Sequence, residues 1–103
     1  MKILAISPTY NEKKNIAELI SRITLIPVEM DLLIIDDNSP DGTADIVKSY
    51  MAKNTHIFIL EREKKLGLGT AYCEGFKWAL DKGYDLIVQI DADLSHNPDD
   101  IPR

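Results

Sequence analysis

The chain has 103 residues, enough for one small domain with a modest core. A hydrophobic share of 45% beside 28% charged residues excludes disorder and fibre. The formal net charge of -5 argues against a broad nucleic-acid-binding surface and obliges any site for a phosphate-rich ligand to bring in a compensating cation.

In chain order, Lys2 to Ser7 predicts a first strand. Over Asn11 to Thr24, Ile16, Leu19, Ile20 and Ile23 recur at i, i+3, i+4 and i+7, one face of a helix that Pro27 ends. Asp31 to Asp36 carries the apolar run Leu32-Leu33-Ile34-Ile35, typical of a strand buried on both faces. The turn Asn38-Ser39-Pro40-Asp41-Gly42 follows, and Asp41 or Thr43 is placed to cap a second helix. In that helix Ile46, Val47, Tyr50 and Met51 share a face. His56 to Leu60 predicts a third strand, ended by the charged stretch Glu61 to Lys65. Gly67 and Gly69 lead into a third helix, with Ala71, Tyr72, Gly75, Phe76, Ala79 and Leu80 on its buried side and Gly83 as its stop. Asp85 to Ile90 predicts a fourth strand that delivers Asp91, and Asn97-Pro98 starts a further helix.

This βαβαβαβ order predicts an α/β fold, a Rossmann-like parallel sheet with helices on both faces. Right-handed crossovers make 3-2-1-4 the simplest strand order. The carboxyl ends of strands 1 and 4 then border the switch-point crevice, where such sheets bind ligands. The single cysteine, Cys73, has no partner for an internal disulfide, which favours a reducing, cytosolic setting. No run approaches the roughly 20 apolar residues needed to cross a bilayer, and the first seven residues read as a strand and not as a signal peptide. A soluble or peripheral protein is expected.

The strand ends carry the unusual residues. After strand 1, Pro8-Thr9-Tyr10-Asn11-Glu12 holds no glycine, so the dinucleotide fingerprint is absent. Tyr10 suits stacking on a base and Glu12 suits accepting from base or ribose; taken alone, the block reads more simply as a rigid turn with an acidic first helical turn. After strand 2, alternation points Asp36 and Asp37 in opposite directions, so that one faces the crevice and the other supports the loop. After strand 4, Asp91-Ala92-Asp93 sets two carboxylates where both can lean on one ligand. Unpartnered, they would repel; a hard divalent cation relieves that and leaves coordination sites for diphosphate oxygens. Gly67-Leu68-Gly69 suits phosphate or a plain loop, Arg62, Lys64 and Lys65 read as a solvated charge run, His96 as a turn residue, Trp78 as helix-edge packing, and Cys73 has no assigned role.

Four ordered blocks then carry a resemblance over essentially the whole chain: Pro-Thr-Tyr-Asn-Glu at 8–12, Ile-Ile-Asp-Asp-Asn-Ser-Pro-Asp-Gly-Thr at 34–43, Arg-Glu-Lys-Lys-Leu-Gly-Leu-Gly-Thr-Ala-Tyr at 62–72 and Asp-Ala-Asp-Leu-Ser-His at 91–96. Together they resemble the inverting family 2 glycosyltransferases of GT-A fold, in the branch of the dolichol-phosphate mannose synthases. The resemblance implies transfer of mannose from GDP-mannose to dolichyl or another polyprenyl phosphate. It implies that Pro8, Tyr10, Glu12, Ile35 and Asp37 line the guanosine site. It further implies that Asp91, Ala92 and Asp93 meet the diphosphate and sugar, with Asp91 and Asp93 as metal ligands and catalytic residues. The cofactor implied is magnesium or manganese, and the location the cytosolic face of a membrane, with an anchoring partner subunit as a further expectation.

On this resemblance, residues 1–103 are the nucleotide-sugar-binding, N-terminal half of the domain, truncated after the Asp-x-Asp motif, and weak or no turnover is expected from them alone. Rival readings remain a glucosyl-transferring relative and a non-catalytic nucleotide-binding fragment. A nucleotidyltransferase would carry a glycine-rich basic loop after strand 1, and a receiver-type module would carry its paired acids there; this chain has neither.

Overall fold

The structure is a computed structural model and describes residues 2–27, 29–63 and 68–90, with Leu68 described in its backbone only. The elements run β1 (Ile3–Thr9), α1 (Lys13–Leu25), β2 (Asp31–Asp36), α2 (Thr43–Met51), β3 (Ile57–Glu61), α3 (Leu68–Lys82) and β4 (Leu86–Gln89). The four strands form one parallel sheet in the order β3-β2-β1-β4, the predicted topology. Parallel strands need crossovers, and each of the three helices supplies one.

The period-2 alternation of the central strands divides the core between two faces. Ala5, Leu32 and Ile34 point to the α1/α2 side, where Ile16, Leu19, Ile20, Ile23 and Val47 meet them. Leu4, Ile6, Leu33 and Ile35 point to the other side, beneath Ala71 and Ala79 of α3. Helices therefore cover both faces, and β1 and β2 are the apolar centre.

Several boundaries differ from the sequence reading. β1 extends to Thr9 and so takes in Pro8. Thr9 O accepts from Asp37 N on the β2 side, and Ile6 O accepts from Ile90 N on the β4 side. By alternation, the N–H that Pro8 lacks falls on the β4 side, beyond the last paired residue of β4. β4 spans only Leu86–Gln89, and Leu86 is 46% exposed, so the apolar run there is a partly open edge strand among the described residues and not a doubly buried one.

Leu80 is not on the buried side of α3: it is 73% exposed. Ala71, Gly75 and Ala79 define the sheet-facing line, and each further residue turns about 100° away from it. Gly75 is where α3 sits closest to the sheet, since a Cβ built there would stand 2.9 Å from Ile35 Cδ1 and from Ile6 Cδ1 and Cγ2. Gly83, at φ 78, ends the helix as its position predicts.

Candidate functional site

Register brings the predicted residues of two loops to one edge. Pro8 pairs with Ile35 and Thr9 with Asp36 at the carboxyl ends of β1 and β2. Asp36, only 1% exposed, supports the loop as strand alternation requires. Its Oδ1 accepts the Thr9 hydroxyl at 2.6 Å and the Ser39 hydroxyl at 2.7 Å, and its Oδ2 accepts the Ser39 amide at 3.0 Å. Asn38 takes a left-handed φ of 56° and donates its side-chain amide to Glu63 O, which ties this loop to the end of β3.

Asp37 turns the other way and meets a partner that the sequence reading missed. Arg62 is 7% exposed, and its Nε and one terminal nitrogen donate to Asp37 Oδ1 and Oδ2 at 2.5 and 2.7 Å. The remaining terminal nitrogen donates to Thr70 Oγ1 at 3.0 Å and stands 3.6 Å from Glu74 Oε1. The expectation of a solvated Arg62 is thus overturned, because α3 closes over the guanidinium and supplies two acceptors. Hydrogen bonding to Asp37 raises the Arg62 pKa against the opposing effect of burial, with further help from the charge of Asp37 and from Glu74. The fork-to-fork pair fixes the Asp37 carboxylate in one plane. Arg62 N also donates to Asp36 O at 2.8 Å, so the pair is anchored at both backbone and side chain.

On the β1–α1 turn, Tyr10 is 38% exposed at the rim, and Asn11 holds a φ of 55° that swings the chain into α1. Glu12 is the N-cap; its carbonyl accepts the Asn15 and Ile16 amides, and its carboxylate accepts Asn15 Nδ2 at 3.3 Å. Ile35 has no exposed surface and lies beneath Gly75, so only its backbone borders this edge. The edge therefore carries an exposed aromatic ring, a partly buried carboxylate and a charge-compensated carboxylate.

β4 leads to the same edge, and Ile90, 1% exposed, packs with the α1/α2 face. Beside it on β1, the buried Ser7 hydroxyl has no hydrogen-bond partner among the described residues. Asp91, Ala92 and Asp93 lie outside the described residues, as do Lys64, Lys65, Gly67, Ser95 and His96. Among the described residues no group of three or more His, Cys, Asp or Glu side chains is placed to hold a metal ion. The donor set of Asp91 and Asp93, two hard oxygen ligands, fits a divalent cation by its chemistry. Cys73 is exposed, and Trp78 packs against Phe58 and Tyr84 at ring separations of 5.3 and 5.9 Å, a structural role.

Residues 5–103 match the family described as glycosyl transferase family 2. The undecaprenyl-phosphate mannosyltransferase of Micrococcus luteus is 44% identical over 103 residues, which is 100% of this chain and 42% of that protein. The polyprenol monophosphomannose synthase of Mycolicibacterium smegmatis is 38% identical over 99% of this chain and 39% of its own length. The chain thus spans about two fifths of these curated relatives. Among solved structures, the mannosyltransferase PcManGT from Pyrobaculum calidifontis, in complex with GDP-Man and Mn2+, superposes with a TM-score of 0.80. That likeness, at 24% identity over 88% of this chain and 27% of the other, is one of fold.

Proposed function

The chain belongs to glycosyl transferase family 2, and from that premise we propose that its protein transfers mannose from GDP-mannose to a polyprenyl phosphate such as dolichyl phosphate, with inversion at the sugar. The observation that carries the choice of donor and acceptor is the 44% identity, over the full chain, to an undecaprenyl-phosphate mannosyltransferase. The geometry of the carboxyl edge supports it. Tyr10 offers a face for the guanine, Glu12 an acceptor, and Asp37 a carboxylate fixed by Arg62, with the buried Pro8 and Ile35 paired behind them at the ends of β1 and β2.

In this reading Asp91, Ala92 and Asp93 meet the diphosphate and the sugar, and Asp91 and Asp93 hold a divalent cation, magnesium or manganese. Such a cation supplies charge neutralisation for the departing nucleoside diphosphate, which also answers the net charge of -5. The acceptor needs little help from a base. A phosphomonoester has its second pKa near about 6 and is already largely dianionic at neutral pH. What remains for the protein is alignment of that oxygen behind the anomeric carbon.

In this reading the described residues carry the nucleoside-facing part of the donor site. We place the protein at the cytosolic face of a membrane, where a lipid phosphate is reached. No helix among the described residues is long and apolar enough to cross a bilayer; an anchoring partner subunit is part of this reading.

The test is transfer of radiolabelled mannose by the purified full-length protein from GDP-mannose to polyprenyl phosphate in mixed micelles. Label in the lipid fraction, abolished by a chelator and restored by magnesium or manganese, is expected. Transfer from UDP-glucose in place of GDP-mannose, or no transfer to the lipid phosphate, would overturn the reading.

A further inference from the structure

The entry to α1 is braced by side chains from the neighbouring loop and helix. A helix N-terminus leaves backbone N–H groups without intrahelical partners and attracts anions, which is how many α/β proteins hold phosphate. Here three successive amides, two ahead of the helix and that of Lys13 at its first position, are each captured by a side chain of the β2–α2 loop or of the first residue of α2. Asn11 N donates to Ser39 Oγ at 2.9 Å, Glu12 N to Thr43 Oγ1 at 3.1 Å, and Lys13 N to Asp41 Oδ2 at 3.0 Å. The first turn of α1 has no acid of its own and no side-chain cap, so its negative partner is Asp41 from the neighbouring loop.

Thr43 links the two. It is fully buried, accepts from Glu12, and donates its own hydroxyl to Asp41 Oδ1 at 2.5 Å, where its amide also donates at 3.0 Å. Burial raises the Asp41 pKa, but the Thr43 hydroxyl and the Lys13 and Thr43 amides outweigh it, and the net shift is downward from 3.8. The carboxylate therefore contributes fully above that ordinary value, and its contribution fades as pH falls through the depressed one.

We propose that Asp41 and Thr43 are positioning residues for the nucleotide donor. By occupying the Glu12 and Lys13 amides they hold the turn that carries Tyr10 and Glu12 in one form. This inference rests on the reading of the edge as a nucleoside-diphosphate-sugar site.

The experiment compares Thr43→Val, which keeps the shape and loses the hydroxyl, with Thr43→Ser, which keeps the hydroxyl, in the full-length protein. GDP affinity with Mn2+, donor KM and kcat, and amide hydrogen exchange at 11–13 are measured. Thr43→Val is expected to raise Kd and KM about tenfold, the loss of roughly one hydrogen bond's worth of order. Its kcat stays within about twofold, its 11–13 amides exchange faster, and Thr43→Ser restores all three. Wild-type affinity and KM in Thr43→Val, or a fall confined to kcat, would overturn the proposal. Should Thr43→Val not fold, Ser39→Ala in the same brace is held to the same outcomes. If the wild-type protein itself ignores GDP, the functional reading fails, and the brace is judged by exchange alone: unchanged exchange at 11–13 sinks it.

Discussion

The two ends of the sheet both carry polar networks, and they are built differently. At the carboxyl end Asp36, Asp37 and Arg62 are all under a tenth exposed, and every carboxylate oxygen has a donor. At the amino end Asp31 accepts from His56 and from the Tyr84 hydroxyl, and Lys2 reaches Asp85 through its amide and the Lys82 carbonyl through its ammonium. There the His56 side chain is 56% exposed, and Lys2 lies 4.6 Å over the Tyr84 ring in the open. Burying charge costs several kcal/mol per ion before partners repay it, roughly. A domain needing only stability would build both ends like the amino end. The carboxyl end accepts the cost, and what it gains is fixed geometry.

The largest effect expected from that contrast is at Arg62. Arg62→Ala leaves Asp37 buried without its fork, and about 3–5 kcal/mol of stability should be lost by chemical denaturation of the full-length protein. Replacing both partners together, Asp37→Leu with Arg62→Met, should restore much of that stability while GDP binding stays lost. Recovery of both at once would show that the pair serves the fold alone.

Next comes the seat of α3, which carries the Thr70 and Glu74 partners of Arg62. Gly75→Ala sets a methyl group 2.9 Å from Ile6 and Ile35. Overpacking of about 1–3 kcal/mol is offset by the better helix propensity of alanine, about 1 kcal/mol, so a net loss near 1 kcal/mol is expected. Because the helix must lift, donor affinity should fall with it. A Gly75→Ala protein of unchanged stability would mean that the two isoleucines repack freely.

How much of this was legible beforehand follows from range. Local periodicity marks the elements, and the right-handed crossover rule orders the strands; the residues that the resemblance names, Pro8, Tyr10, Glu12, Ile35 and Asp37, lie at or next to the carboxyl ends of β1 and β2, with the Ile35 side chain buried. Arg62 was not legible as a buried residue, because its burial is decided by Thr70 and Glu74, on a helix whose seating depends on Gly75 meeting β1 and β2. Leu80 was misplaced for the same reason: hydrophobicity marks a face but not where the helix axis leaves the sheet. Asp41 and Thr43 are the caps of α2 that the sequence offers, yet the N-cap is Gly42 with no side-chain cap hydrogen bond; Asp41 instead accepts the Thr43 amide and hydroxyl, and its reach to Lys13 depends on two loops meeting in space. Asp91 and Asp93, the centre of the sequence argument, lie outside the described residues.

The amino end should show smaller effects and none on the donor. Tyr84→Phe removes the hydroxyl that Asp31 accepts and should cost about 1 kcal/mol with GDP affinity unchanged. Burial, then the hydrogen bond to Asp31 and the charge of that carboxylate, push the Tyr84 phenol above its ordinary value of 10.0. Its contribution is therefore whole below that value and is lost as pH rises beyond it. The wild-type protein should lose stability above pH 10.0 more steeply than Tyr84→Phe does.

The smallest effect belongs to His56. Its Nδ1 stands 2.7 Å from Asp31 Oδ1, but the imidazole is more than half exposed, and such pairs contribute about 0–1 kcal/mol. His56→Ala alone should shift stability by less than about 0.5 kcal/mol. The informative measurement is the double variant with Tyr84→Phe. Both partners donate to Asp31, one on each oxygen, so they share a carboxylate that is only part-buried. Losing one leaves Asp31 held by the other; losing both frees it to take water. If the amino end is a solvent-open clasp, water replaces the lost donors and the two losses add within about 0.5 kcal/mol. A larger coupling would mean that Asp31 is as dependent on its donors as Asp37 is on Arg62, and the distinction between the two ends would fall.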